Sequence, residues 1–150
     1  MLSSRIRIVF LLTSISVFVL AIVPLLGQSP GPATVTIRIT GLRSEQGQVK
    51  IAVFNSSASW LGDHPAYSST IEVDSRSVIW KLSGVPYGEY GLAVFHDENK
   101  NGKMDKNALG IPQEAYGFSN NMRVIFGPPK WEKSKVIVNA ATSDIAIEVK

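Results

Sequence analysis

Thr34-Val35-Thr36-Ile37-Arg38-Ile39-Thr40 places an apolar side chain at every second residue. That spacing is the signature of a strand with one face buried and one face wet. The same period returns at Val49, Ile51 and Val53, at Val78, Trp80 and Leu82, at Tyr90, Leu92 and Val94, and at Ile145, Ile147 and Val149. Gly- and Pro-rich connections separate these stretches, notably 41–47 and Gly84-Val85-Pro86-Tyr87-Gly88. Ile71 and Val73 suggest a short edge strand, residues 135–138 another, and Val124-Ile125-Phe126 a brief pairing. No stretch beyond the N-terminal segment keeps a 3.6-residue period, so no helix of ordinary length is expected there. About seven short strands joined by tight turns predict an all-β fold, an antiparallel β-sandwich spanning residues 34–150. The in-phase apolar residues, Trp80 and Leu92 among them, are the expected core. Gly91 and Ala93 alternate with Leu92 and Val94, which predicts a central strand with something packed closely on its second face.

The N-terminus has a different character. Arg5 and Arg7 precede a nearly unbroken apolar run over residues 8–23, closed by Pro24. Positive charge followed by an apolar stretch of this length is the layout of a secretory signal, with cleavage expected after about Gly27. An uncleaved anchor is the alternative for residues 1–27, because the run approaches the length that spans a bilayer. Residues 28–33 form a short flexible lead-in. On either reading the domain is periplasmic or secreted, and touches a membrane only through that segment.

Charge and cysteine content exclude several classes. The formal net charge of +3 includes Arg5 and Arg7, and the remainder carries 13 basic against 12 acidic side chains. Such a chain has no basic stripe, so nucleic acid is not an expected partner. The absence of cysteine removes disulfides, thiolate metal sites and a lipid-bearing cysteine after the signal. An exported domain of this size then relies on its core, or on a bound ion, for stability.

The strongest local pattern is Asp97-Glu98-Asn99-Lys100-Asn101-Gly102-Lys103-Met104-Asp105. Side-chain oxygens stand at relative positions 1, 3, 5 and 9, with glycine at 6 for the sharp reversal. A hard cation such as Ca²⁺ needs several oxygens converging at short range, and this alternation is able to supply them. The expected ligands are Asp97, Asn99, Asn101, the backbone carbonyl of Lys103, and Asp105. Ala108 stands at position 12, where a bidentate acid would complete the shell, so Glu114 is considered as a distant substitute. An Asx-rich turn that binds nothing is the competing reading.

His96 adjoins this loop and His64 precedes Pro65. Neither belongs to a nucleophile elbow, a His-Glu-x-x-His helix or a phosphate-cradling loop. No catalytic residue is assigned, and a small hydrolase around His96 and Asp97 is the least favoured reading. Trp60, Tyr116 and Trp131 lie in irregular stretches and are candidate ligand contacts, since exposed aromatic rings stack on sugars or on partner surfaces.

His96-Asp97-Glu98-Asn99-Lys100-Asn101-Gly102-Lys103-Met104-Asp105, then Gly110-Ile111-Pro112, then Glu114-Ala115-Tyr116-Gly117-Phe118-Ser119-Asn120-Asn121 together resemble exported bacterial proteins grouped as domain-of-unknown-function family 2141. The resemblance runs from about Val35 to Val149. Gly47-Gln48-Val49-Lys50-Ile51-Ala52-Val53-Phe54 is a further landmark. Gly84-Val85-Pro86-Tyr87-Gly88-Glu89-Tyr90 is similar also to a turn of transthyretin-like and carboxypeptidase regulatory-like sandwiches. The Asp/Asn loop is similar to calcium loops of bacterial surface sandwich repeats. The resemblance implies an extracytoplasmic address and no assigned activity. The resulting expectation is a non-enzymatic sandwich module, stabilised by Ca²⁺, that binds a protein or glycan of the cell envelope. A carbohydrate-binding module using the loop aromatics is the alternative.

Overall fold

The computed structural model describes residues 31–123 and 127–150. The expected signal segment, the start of the lead-in and the pairing expected at Val124-Ile125-Phe126 lie outside them. Among the described residues no helix is long and apolar enough to cross a membrane.

Among the described residues eight strands form: β1 (Ala33–Thr40), β2 (Gln48–Phe54), β3 (Tyr67–Glu72), β4 (Ser77–Val85), β5 (Gly88–Asp97), β6 (Tyr116–Phe118), β7 (Val136–Val138) and β8 (Thr142–Glu148). The one α-helix among the described residues is a single turn, α1 (Trp131–Ser134). One sheet has the order β4-β1-β8, the other β3-β2-β5-β6, with β7 also paired to β5. The β-sandwich expected from the period-two pattern is therefore present, with two differences. The irregular stretch after β5 contributes the three-residue β6, and β8 lies parallel to β1 rather than antiparallel, while the edge strand expected at Ile71 is β3. β8 reaches β1 after a connection running through most of the other sheet, as a parallel neighbour requires.

The alternating residues meet between the sheets. Val35, Ile37 and Ile39 of β1, Val49, Ile51 and Val53 of β2, Leu92 and Val94 of β5, and Ile145 and Ile147 of β8 are all buried. Trp80 departs from expectation and is only partly buried. It pairs with Ile37 on β4, an edge strand, where one side of the ring has no neighbouring strand to cover it.

β5 is the spine that positions the candidate site. One edge pairs with β2 from Gly91 to Asp97; the other pairs with β7 through Gly88–Tyr90 and with β6 through Ala93–Phe95. The far edge is stitched to the opposite sheet. Tyr116 and Lys150 exchange two backbone hydrogen bonds of 3.1 Å. A Cβ on Gly117 would lie 2.8 Å from the Glu148 carbonyl oxygen and 2.9 Å from Ile147, so only glycine lets β6 come this close to β8.

Candidate functional site

β5 ends on Asp97, whose side chain faces away from the interior that Leu92, Val94 and His96 share. The chain reverses immediately, through Lys100 at φ 60° and Gly102 at φ 80°. The reversal is held by side-chain acceptors. Asp97 is fully buried under the loop, its Oδ1 accepting from Asn101 N at 3.0 Å and its Oδ2 from Gly102 N at 2.8 Å. Asn99 Oδ1 accepts from Asn101 N at 3.0 Å, and Asn101 Oδ1 from Lys103 N at 2.8 Å. These are Asx turns laid end to end, the geometry expected when Asx residues recur at every second position.

The side-chain ends of three expected ligands converge. Asp105 accepts from Asn99 Nδ2 at 2.6 Å and from Asn101 Nδ2 at 2.9 Å, one amide on each carboxylate oxygen. The two amide groups thus supply the positive charge density that a cation would supply. An Asn amide turned over would present oxygen instead of nitrogen to a hard cation beside Asp105, at the cost of the Asx turn that its oxygen now closes. Asp97 lies in the same web through Asn101 N, while Lys103 joins it through its own N–H on Asn101. Among the described residues no three His, Cys, Asp or Glu side chains gather as a ready-made metal set. A cation here would depend on amide and carbonyl oxygens for most of its shell.

Glu114 has a different task from the one considered for it. It is buried, with Oε1 accepting from Glu98 N at 3.2 Å and Oε2 from Asp105 N at 3.1 Å. One carboxylate therefore clamps both ends of the 98–105 reversal. The loop is also tied outward, by Lys100 Nζ to Glu72 at 2.7 Å and by Ser44 Oγ to Glu98 at 3.1 Å.

His96 and Asp97, adjacent on a regular strand, project to opposite faces, so they form no dyad. The His96 ring is fully buried at the end of the interior, with Nε2 2.7 Å from the Gln46 carbonyl oxygen and Nδ1 without a partner among the described residues.

The three aromatic candidates do not share one surface. Trp131, expected on an exposed loop, is buried at the start of α1, and Trp60 is half-buried against it with ring centroids 5.7 Å apart. Phe54 and Phe118 complete the cluster around Trp60. Trp60 Nε1 donates to the Pro129 carbonyl at 2.8 Å, which satisfies its one polar group. The cluster roofs Gly91, where a Cβ would stand 2.8 Å from Trp131 and closer still to Trp60. The close packing inferred from Gly91 is thus real, and the two tryptophans are what does the packing. Tyr116, half-buried on β6, lines an open cleft of about 460 Å³ with Asn121, Arg123 and Lys150.

A family model described as an uncharacterized protein conserved in bacteria, DUF2141, matches residues 37–146. The chain belongs to that family. Comparison with curated proteins and with solved structures gave no match.

In this DUF2141 chain the remaining landmarks are structural joints. Ser119 Oγ accepts from Leu92 N at 2.9 Å and donates to the Ser134 carbonyl. Asn120, at φ 60°, donates through Nδ2 to the Lys133 and Lys135 carbonyls, both at 3.0 Å. Asn121 accepts from Glu148 N at 2.8 Å. Three consecutive residues thereby tie β5, α1 and β8 together. Tyr90 of the Gly84–Tyr90 motif donates to the Pro86 carbonyl at 2.9 Å, fixing the turn that starts β5. Burial pushes its pKa up, with nearby Tyr67 adding to the shift. Sequence reasoning missed these joints and the Glu114 clamp. Their only signal was polar residues lodged in a stretch with no strand alternation.

Proposed function

We propose that this protein is a non-enzymatic β-sandwich module working outside the cytoplasm, whose 97–105 loop takes Ca²⁺ and whose surface binds an envelope or extracellular partner. One observation carries the reading: the side chains of Asn99 and Asn101 both converge on the Asp105 carboxylate, in a loop organised by the buried Asp97. Only two carboxylates contribute, so affinity belongs with weak extracellular sites, on the order of 10⁻⁴ M. The charge layout of residues 1–27 supports the address. The glycan-binding alternative rests on Tyr116, since Trp60 and Trp131 are engaged with each other.

Calorimetric titration with Ca²⁺, paired with thermal melts, tests the cation site. Metal that binds the folded chain alone raises stability by about 2.7 kcal/mol at a hundredfold excess over Kd. Asp105→Asn removes the converging charge while leaving Asp97 and Glu114 in place, and should abolish the rise. No heat at millimolar Ca²⁺, with an unshifted melt, leaves a turn held by its own amides.

A further inference from the structure

Beyond the 97–105 loop the chain makes a second turn, which returns it to Asp105, where Gln113 N donates to the Asp105 carbonyl at 2.8 Å. Lys106 bridges to Pro112, Asn107 N donates to the Ile111 carbonyl at 2.9 Å, and Gly110 N to the Asn107 carbonyl at 2.9 Å. Asn107 Oδ1 accepts from both Leu109 N and Ile111 N at 3.0 Å. This network holds two aliphatic side chains out in water, Leu109 at 84% exposure and Ile111 at 55%. Apolar groups fixed outward by a dedicated scaffold mark an interaction surface more than a loose loop does. Two side chains this exposed on a turn suit a soft apolar boundary.

Charge says which boundary. Lys103 and Lys106 are exposed and form no ion pair among the described residues, whereas Lys100 is bonded to Glu72. From Asp97 to Glu114 the formal charge is −1, from four acids and three lysines, and one bound Ca²⁺ turns it to +1. Ala108, where an acid would complete the ion's shell, leaves room for an outside oxygen ligand. We infer that the Leu109–Ile111 tip docks on an anionic phospholipid surface when the loop beside it holds Ca²⁺; the inference rests on the cation reading above. Aliphatic insertion and electrostatic attraction are each weak alone and together make a reversible anchor. Without the ion, the segment's negative charge opposes approach to the same surface.

Vesicle flotation of the mature domain tests this, using phosphatidylglycerol/phosphatidylcholine vesicles and pure phosphatidylcholine vesicles, each with Ca²⁺ or with EDTA. Binding is expected to the anionic vesicles in Ca²⁺, and to fall roughly tenfold or more in Leu109→Ser/Ile111→Ser. That variant should keep the wild-type melting temperature and the wild-type calcium heat measured without lipid. Calcium heat without flotation, or flotation indifferent to the tip variant, overturns the docking surface and leaves the cation site standing. No calcium heat and no effect of Ca²⁺ on flotation overturns both. Flotation that needs Ca²⁺ and the tip, with no heat in lipid-free solution, supports docking and overturns a site that fills without lipid.

Discussion

The two ends of β5 carry coverings on the same face of the same sheet, held by opposite physics. Over Gly91 the cover is aromatic: Trp60 and Trp131 lie edge to face, and the indole of Trp60 spends its one donor on Pro129. Over Asp97 the cover is polar: two buried carboxylates, Asp97 and Glu114, collect four backbone N–H donors between them. The aromatic lid is held by area removed from water, which salt and metal ions hardly alter. The polar loop is held by charge-assisted hydrogen bonds, whose strength depends on ionisation and on any cation nearby. One strand thus supports an inert end and a responsive end.

Removing the lid should have the largest effect. Trp131→Ala should destabilise the sandwich by about 3–5 kcal/mol, the cost of a large buried aromatic together with its cavity. Urea denaturation, with and without Ca²⁺, checks both the size of the loss and its indifference to the ion. A loss below 1 kcal/mol, or one that Ca²⁺ repairs, breaks the division between the two ends.

Asp97→Asn comes next. The amide keeps one acceptor and turns its NH₂ against an N–H donor, so it should cost roughly 1–3 kcal/mol. The loss should appear in EDTA as well as in Ca²⁺, because Asp97 is buried and organises the turn by itself. Its sequence position suggests a ligand whose removal matters only when metal is present. Equal stability of mutant and wild type in EDTA would restore that simpler role.

The sequence was informative where one physical signal dominated. β1 and β2 show in their alternation because each packs its apolar face on a neighbouring layer, and β5 shows because Leu92 and Val94 do the same while its other face carries small residues. The two-layer architecture follows from them. β6 did not show, since three residues carry no period and its place is set by pairing with β5 on one side and Lys150 on the other. The parallel setting of β8 on β1 did not show either, because alternation fixes a face and not a direction. At the loop, spacing identified Asp97, Asn99, Asn101 and Asp105 as inward residues. It offered Glu114 only as a distant ligand and did not show its clamp, because the partners Glu98 and Asp105 come close to it only after folding. The aromatic lid had a single legible trace, the small side chain of Gly91, which called for a cover without saying which residues supply it.

The smallest expected effect lies where the responsive end meets its neighbour. Lys100 leaves the 97–105 loop to reach Glu72 on β3, and the Glu72 carboxyl is held below its ordinary pKa by that hydrogen bond first and by the Gln48 amide second. A carboxyl with a lowered folded-state pKa adds stability that is fully present above its unfolded value and is lost as pH falls through the folded one. The pair should therefore tether the loop at neutral pH and release it in acid, below the ordinary carboxylate range. Both side chains are largely exposed, and surface pairs contribute little to global stability, so the melting temperature should barely change. The effect belongs in site-resolved titration. The Glu72 carboxyl resonance should titrate below the ordinary carboxylate value, and Lys100→Ala should return it most of the way. Gln48→Ala should move it in the same direction by less, as the second cause. The shift should shrink in high salt, because an exposed pair is screened. A Glu72 that titrates normally in the wild type would mean that the tether is not formed in solution. The responsive end of β5 would then be held by Asp97 and Glu114 without help from β3.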